Sequence, residues 1–176
     1  MNALIFIVET LLSLALFVFM LRLLLQWARA DFRNPLAQAV VKITNPLVLP
    51  LRKVLPAVGK LDTASAVAVI LVAIINVAIV SALANVYMPD ALAWVRAVVV
   101  EILRTGLSAY FWAILLYAVL SMIAPGGYSP VQSLLAALCE PVLRPFRRII
   151  PPIANIDFSP LWALIGIQAL LILLRA

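Results

Sequence analysis

Two arginine–aspartate combinations are the residues in this chain best suited to chemistry: Arg52 with Asp62, and Arg147 with Asp157. In each, the carboxylate follows the arginine by ten residues, and a second cation, Lys53 or Arg148, comes directly after the arginine. One chemistry this offers is an ion pair that locks a loop against a helix start. The neighbouring cation is then displayed to an anionic lipid headgroup or a protein partner. The plainer reading is that the aspartates cap helices and the basic residues only mark the cytoplasmic side of a membrane. Exposed ion pairs contribute about 0–1 kcal/mol, which favours the plainer reading unless the pair is sheltered.

Catalytic and redox chemistry are poorly supplied. The chain has no histidine and one cysteine, Cys139. That excludes a disulfide framework, a Cys/His zinc site, histidine haem ligation and a histidine general base. Cys139 reads as a small apolar filler rather than a reactive thiol. There is no nucleophile–base arrangement, metal-ligand cluster or glycine-rich phosphate loop, and Gly126-Gly127 is an isolated turn signal. The expectation is a protein that is not an enzyme and carries no cofactor or metal.

The elements that position these residues are set by lipid. Of 176 residues, 66% are hydrophobic and 11% charged, with mean hydropathy +1.19; a soluble domain has roughly 45–50% apolar and about 25% charged residues. Four runs can span a bilayer: 4–25, 64–86, 106–124 and 158–174. The last reaches only about 25 Å, so local thinning must help it. The first is a retained helix and not a signal peptide, since no cation precedes it, it is too long, and basic residues follow it. Of the 13 positive residues, nine lie in loops 26–63 and 125–157. The positive-inside rule puts those loops in the cytoplasm and both termini in the periplasm of a multi-pass bacterial inner-membrane protein. Arg22, near the end of the first run, can snorkel toward the first loop. Trp27, Tyr87, Trp94, Tyr128 and Trp162 fall near the expected interfaces. The net charge of +6 is clustered between apolar segments, which points to anionic headgroups and not to direct contact with nucleic acid. Residues 91–105 form either an interfacial amphipathic helix or the start of one long tilted helix continuing through 124.

The chain also repeats. A gapless offset of 95 places Pro35, Pro46, Pro50, Arg52, Pro56 and Asp62 on Pro130, Pro141, Pro145, Arg147, Pro151 and Asp157, with Lys53 on Arg148. Asn34 and Ser129 stand at N-cap positions before Pro35 and Pro130, where a missing N–H costs nothing. Leu36, Val40, Ile43 and Leu47 then recur at one-face helical spacing, as do Val131, Leu135, Leu138 and Val142. Pro46 and Pro141 are expected to interrupt these helices, and Pro50–Pro56 and Pro145–Pro151 to allow only a short turn. The expected fold is an all-α membrane protein with four transmembrane helices in two parallel repeats, 1–90 and 91–176. Each repeat is a transmembrane helix, an amphipathic, proline-rich basic loop and a second transmembrane helix. Polar residues inside the runs are few. Glu9 sits close enough to the end to reach headgroups, while Asn76 and Gln168 suit helix–helix hydrogen bonds better than an ion path.

The residues Arg22, Gln26-Trp27, Asn34-Pro35, Thr44, Pro46, Pro50, Arg52-Lys53, Pro56, Gly59 and Asp62 resemble the YggT (YlmG) integral membrane proteins of bacteria and plastids. So do Ser129-Pro130, Pro141, Pro145, Arg147-Arg148, Pro151, Asp157 and Ser159-Pro160 in the second copy. The two-copy arrangement looks like the proteobacterial form. Asp62-Thr63-Ala64-Ser65 departs from the fuller Asp-x-Ser-Pro of the second copy, and Ala154 stands opposite Gly59. The resemblance implies links to osmotic stress and ion homeostasis, to division and nucleoid organisation, and in plastids to maturation of a membrane cytochrome. It brings no catalytic set. Two functions stay open: an assembly or scaffolding factor whose loops hold anionic membrane lipid and a membrane-protein partner, and a channel or transporter component for ions or osmolytes acting as a homo-oligomer.

Overall fold

The computed structural model describes residues 3–55, 62–123, 129–149 and 157–174, and every regular element among them is an α-helix. These are α1 (Ala3–Trp27), α2 (Pro35–Val54), α3 (Thr63–Leu83), α4 (Ala91–Ile123), α5 (Pro130–Ile149) and α6 (Ser159–Leu173). Pro56, Gly59, Lys60, Gly126-Gly127, Tyr128, Pro151, Ala154 and Arg175 lie outside the described residues.

Helices α1, α3 and α4 are long and apolar enough to cross a membrane. Their side chains are distributed inside-out relative to a water-soluble protein. Ala64, Ser65, Ala68 and Ala73 of α3 and Ala109 and Ala113 of α4 are buried, while Leu4, Phe6, Ile7, Ile74, Ile75 and Trp112 are exposed. Small residues let helices approach closely, and large apolar ones meet lipid at no cost. The chain is an all-α membrane protein. Helix α6 is apolar but has 15 residues, about 22 Å against a hydrocarbon core of about 30 Å. Three of the four expected runs therefore meet the spanning length among the described residues.

Of the two alternatives for 91–124, one continuous helix is found: α4 runs 33 residues without interruption. Its one glycine, Gly106, faces Met20 of α1, where an added Cβ would make ordinary contact at 3.7 Å from Sδ. Asp90 starts the helix, its Oδ1 accepting the Ala93 N–H at 2.7 Å. Helices α1 and α3 end alike. Arg29 (φ 53) and Asn85 (φ 52) adopt the left-handed conformation. The Ala30 N–H donates to the Leu25 carbonyl at 2.9 Å and the Val86 N–H to the Ser81 carbonyl at 2.9 Å, closing two Schellman caps without a glycine.

The expected interruption at the prolines does not occur. Helix α2 continues through Pro46 and Pro50, and α5 through Pro141 and Pro145. An interior proline costs about 3 kcal/mol, so tertiary contacts must hold these helices. The buried face of α2 supplies them. Val48 packs with Ala64 and Ala68 of α3, and Phe19, Leu47 and Leu51 close around this core. The apolar stripe of α2 is not the face buried against the protein. Leu36 and Ile43 are 41% and 64% exposed, whereas Ala37, Thr44 and Val48 are fully buried. In α5, Leu138 of the stripe is buried, Val131 faces outward, and the tightest positions are Cys139 and Leu143. The small residues give the close helix contact, and the larger ones are left outside it.

Two compact units are present. One comprises Met1–Leu23 and Val40–Gly106, the other Leu24–Ala39 and Leu107–Ala176. In the second, α5 packs against α6.

Candidate functional site

In the first unit, the C-terminal turn of α2 places Arg52 beside Asp62, the residue that precedes α3. Arg52 Nη2 donates to Asp62 Oδ2, and Ser65 Oγ donates to the same oxygen at 2.7 Å. The arginine side chain is 45% exposed and the carboxylate 12%. Asp62 holds the N-cap position, yet its side chain bonds no backbone N–H of α3. Its carboxylate takes the Arg52 guanidinium and the Ser65 hydroxyl, contacts of the kind the locking arrangement calls for.

In the second unit, Arg147 is more heavily engaged. Its Nε donates to Asp157 Oδ2 at 2.8 Å, its Nη1 to Glu140 Oε2 at 2.8 Å and its Nη2 to the Tyr117 hydroxyl at 3.4 Å. Asp157 Oδ1 also accepts the Ser159 N–H at 2.9 Å, so this aspartate satisfies the first N–H of α6 as well as pairing. Burial tends to raise the Asp157 pKa, but bonds from Ser159 and the Arg147 charge outweigh it and hold the carboxyl below its ordinary range. Burial likewise opposes the Arg147 charge, and the bonds to Asp157 and Tyr117 more than restore it. In both units the adjacent cation, Lys53 or Arg148, is exposed and has no carboxylate partner among the described residues.

Arg22 reaches the first loop, as expected, but is buried there against α2, only 1% exposed. Its Nη1 donates to Thr44 Oγ1 at 2.7 Å, to Asn45 Oδ1 at 3.0 Å and, longer, to the Val41 carbonyl at 3.4 Å. Thr44 Oγ1 in turn donates to the Val40 carbonyl at 2.7 Å. The Arg22 Nε is buried without an acceptor. A charge placed about 7–8 Å inside the end of α1 is thus solvated by the amphipathic helix and not by bulk water. Thr44 stood with Arg22 among the residues of the family resemblance, but neither it nor Asn45 was singled out as an Arg22 partner, and Tyr117 and Glu140 were likewise not singled out as partners of Arg147.

The helix starts follow expectation and add one contact. Asn34 Oδ1 accepts the Leu36 N–H at 2.9 Å, and Ser129 Oγ accepts the Gln132 N–H at 3.1 Å, so both cap. Asn34 Nδ2 also donates to the Pro130 carbonyl at 2.6 Å and to Ser133 Oγ at 3.3 Å, joining the start of α2 to the start of α5. An open cleft of about 630 Å³ lies there, lined by Arg33, Asn34 and Ser133 among others. Pro35, Pro46, Pro50, Pro130, Pro141 and Pro145 all lie within α2 and α5 and contribute shape rather than donors. Cys139 is fully buried, and burial pushes its thiol up to about 12, so it is an inert filler. Among the described residues no three His, Cys, Asp or Glu side chains gather as a metal site.

The CCB3/YggT family model matches residues 1–83 and 96–176. The YggT protein of Escherichia coli is 38% identical over 161 residues, covering 92% of this chain and 83% of its own length. A Pseudomonas aeruginosa relative is 36% identical over 171 residues, covering 95% and 85%, and one from Vibrio alginolyticus is 36% identical over 169 residues, covering 96% and 91%. No solved structure matches the chain. With its paired arginine and aspartate residues, its capped proline helices and this extent of matched sequence, the chain belongs to the CCB3/YggT family.

Proposed function

We propose that this protein is a non-enzymatic assembly or scaffolding factor of the bacterial inner membrane, in which two basic helix-and-loop segments on the cytoplasmic side hold anionic lipid and a membrane-protein partner. The observation that carries this reading is the division of labour within each basic pair. Arg52 and Arg147 are occupied by Asp62 and Asp157, while Lys53 and Arg148 are held beside them, exposed and without a carboxylate partner among the described residues. An ion pair that spans the connection between two helices fixes where the adjacent cation stands, which is what recognition requires.

The reading includes two same-way-up repeats with both termini periplasmic. Residues 95 apart support it: Thr44 and Cys139, Val48 and Leu143, and Ala64 and Ser159 are each fully buried, and Ala68 and Ala163 nearly so. The positive-inside rule supports the orientation. The test is photocrosslinking in cells from positions beside Lys53 and Arg148, with partners identified by mass spectrometry. Lys53→Glu with Arg148→Glu leaves both ion pairs in place and is expected to abolish the captured partner. Undiminished capture overturns the reading. Crosslinks formed mainly between copies of this chain point instead to an oligomeric channel, which flux measurements in liposomes would then examine.

A further inference from the structure

Helix α2 presents three surfaces. Ala37, Thr44 and Val48 face the protein. Leu36, Ile43 and Val54, at spacings of seven and 18 residues, fall on one line of the helix and are exposed, Val54 by 78%. Lys42 and Lys53, 11 residues apart, fall on a neighbouring line and are also exposed. Helix α5 is divided in the same way. Cys139 and Leu143 face inward, Val131 and Ile149 share an exposed apolar line, and Arg144 and Arg148 stand exposed beside it.

An exposed apolar line beside a basic line fits a bilayer boundary, with acyl chains below and phosphates alongside. The flanking elements require the same location for α2. It starts eight residues after α1 ends, and Arg52 ties its last turn to Asp62 at the start of α3; both neighbours are long enough to cross a membrane. A helix anchored at both ends to the termini of spanning helices lies at the membrane surface. The interior prolines and the residues Gln38, Lys42, Asn45, Arg52 and Lys53 exclude it from the hydrocarbon.

We infer that α2 and α5 lie in the anionic headgroup layer, with Leu36, Ile43, Val54, Val131 and Ile149 among the upper acyl carbons and Lys42, Lys53, Arg144 and Arg148 on lipid phosphates. This rests on the scaffolding reading and deepens its lipid arm. The occupant of the apolar line is the bilayer itself, a choice favoured by the charge beside it and by continuity with the spanning helices.

The full chain, reconstituted in phosphatidylcholine vesicles containing one-fifth phosphatidylglycerol, tests the inference. Nitroxides at Ile43→Cys, Lys42→Cys, Ile149→Cys and Arg148→Cys report depth, because the fully buried native Cys139 does not compete for label. The apolar positions are expected to be relaxed by oxygen and shielded from a water-soluble nickel chelate, and the basic positions the reverse. Spin-labelled phosphatidylglycerol should associate more strongly than spin-labelled phosphatidylcholine. Removing two cations, as Lys42→Gln with Lys53→Gln, should weaken that preference, at about five-fold per cation at most. Nickel access at position 43 overturns the inference in favour of a water-facing surface. Shielding from both reagents overturns it in favour of a protein occupant. Correct depth without lipid preference overturns the headgroup contact. None of these results decides whether a protein partner is captured in cells, so the two readings fail separately.

Discussion

At the scale of single residues, the carboxylates and the buried arginine carry different kinds of free energy. Asp157 is held below its ordinary pKa mainly by Ser159 and Arg147 against the opposing effect of burial. A carboxyl with a lowered folded-state pKa adds stability that is fully present above the unfolded value of about 3.9 and is lost as pH falls through the folded value. Thermal unfolding in detergent should therefore be insensitive to this group from neutrality down to about pH 5 and should weaken below it. Asp157→Asn is expected to remove that acid-dependent part and to lower stability only modestly at neutral pH, since the pair is about a third exposed on both sides. Arg22 is the stronger case. Arg22→Ala strands the Asn45 amide oxygen and opens space beside fully buried Thr44, and should cost about 2–4 kcal/mol. Arg22→Met fills much of the space without a charge to solvate and should cost less, since Thr44 keeps its bond to the Val40 carbonyl. Denaturation of the two variants side by side checks the order.

At the scale of the helix, the informative comparison is between two faces of α2. Val48→Ala removes methyl groups from a fully buried site and is expected to cost about 1–3 kcal/mol, whereas Ile43→Ala, on the exposed face, should change unfolding by under about 0.5 kcal/mol. Equal losses would mean that the face assignment is wrong. Helix ends give a second comparison. Arg29→Gly relieves a left-handed residue and should stabilise by up to about 1 kcal/mol, while Asn85→Val forces a β-branched side chain into that conformation and should destabilise by about 1–2 kcal/mol. Much of this level was legible beforehand: Asn34 and Ser129 as caps, Pro35 and Pro130 as first helical residues, and the extents of α1 and α3 to within a few residues. The continuity of α2 and α5 was not, because local propensity at Pro46 and Pro141 argues for a break and only the packing of Val48 or Leu143 overrides it.

At the scale of the whole molecule, topology is the measurement that matters most. Reporter fusions after residues 53 and 148 should both read as cytoplasmic and a fusion after residue 87 as periplasmic; opposite sides for 53 and 148 would end the same-way-up arrangement. Composition alone established that the medium is lipid, because 66% hydrophobic residues exceed what a core of this size can hide. The offset of 95 set Arg52 and Asp62 in register with Arg147 and Asp157, and the ten-residue spacing within each pair made them candidates to meet. Tertiary structure decided which surface of each amphipathic helix is interior, that Arg22 is held by Thr44 and Asn45, and that Arg147 also takes Glu140 and Tyr117. The reason lies in the solvent. In water an apolar stripe marks the core, but beside a bilayer the protein interior and the acyl chains are equally apolar, so hydropathy cannot distinguish them. Only packing does, and it assigned the interior to Ala37, Thr44 and Val48 and left Leu36 and Ile43 facing outward.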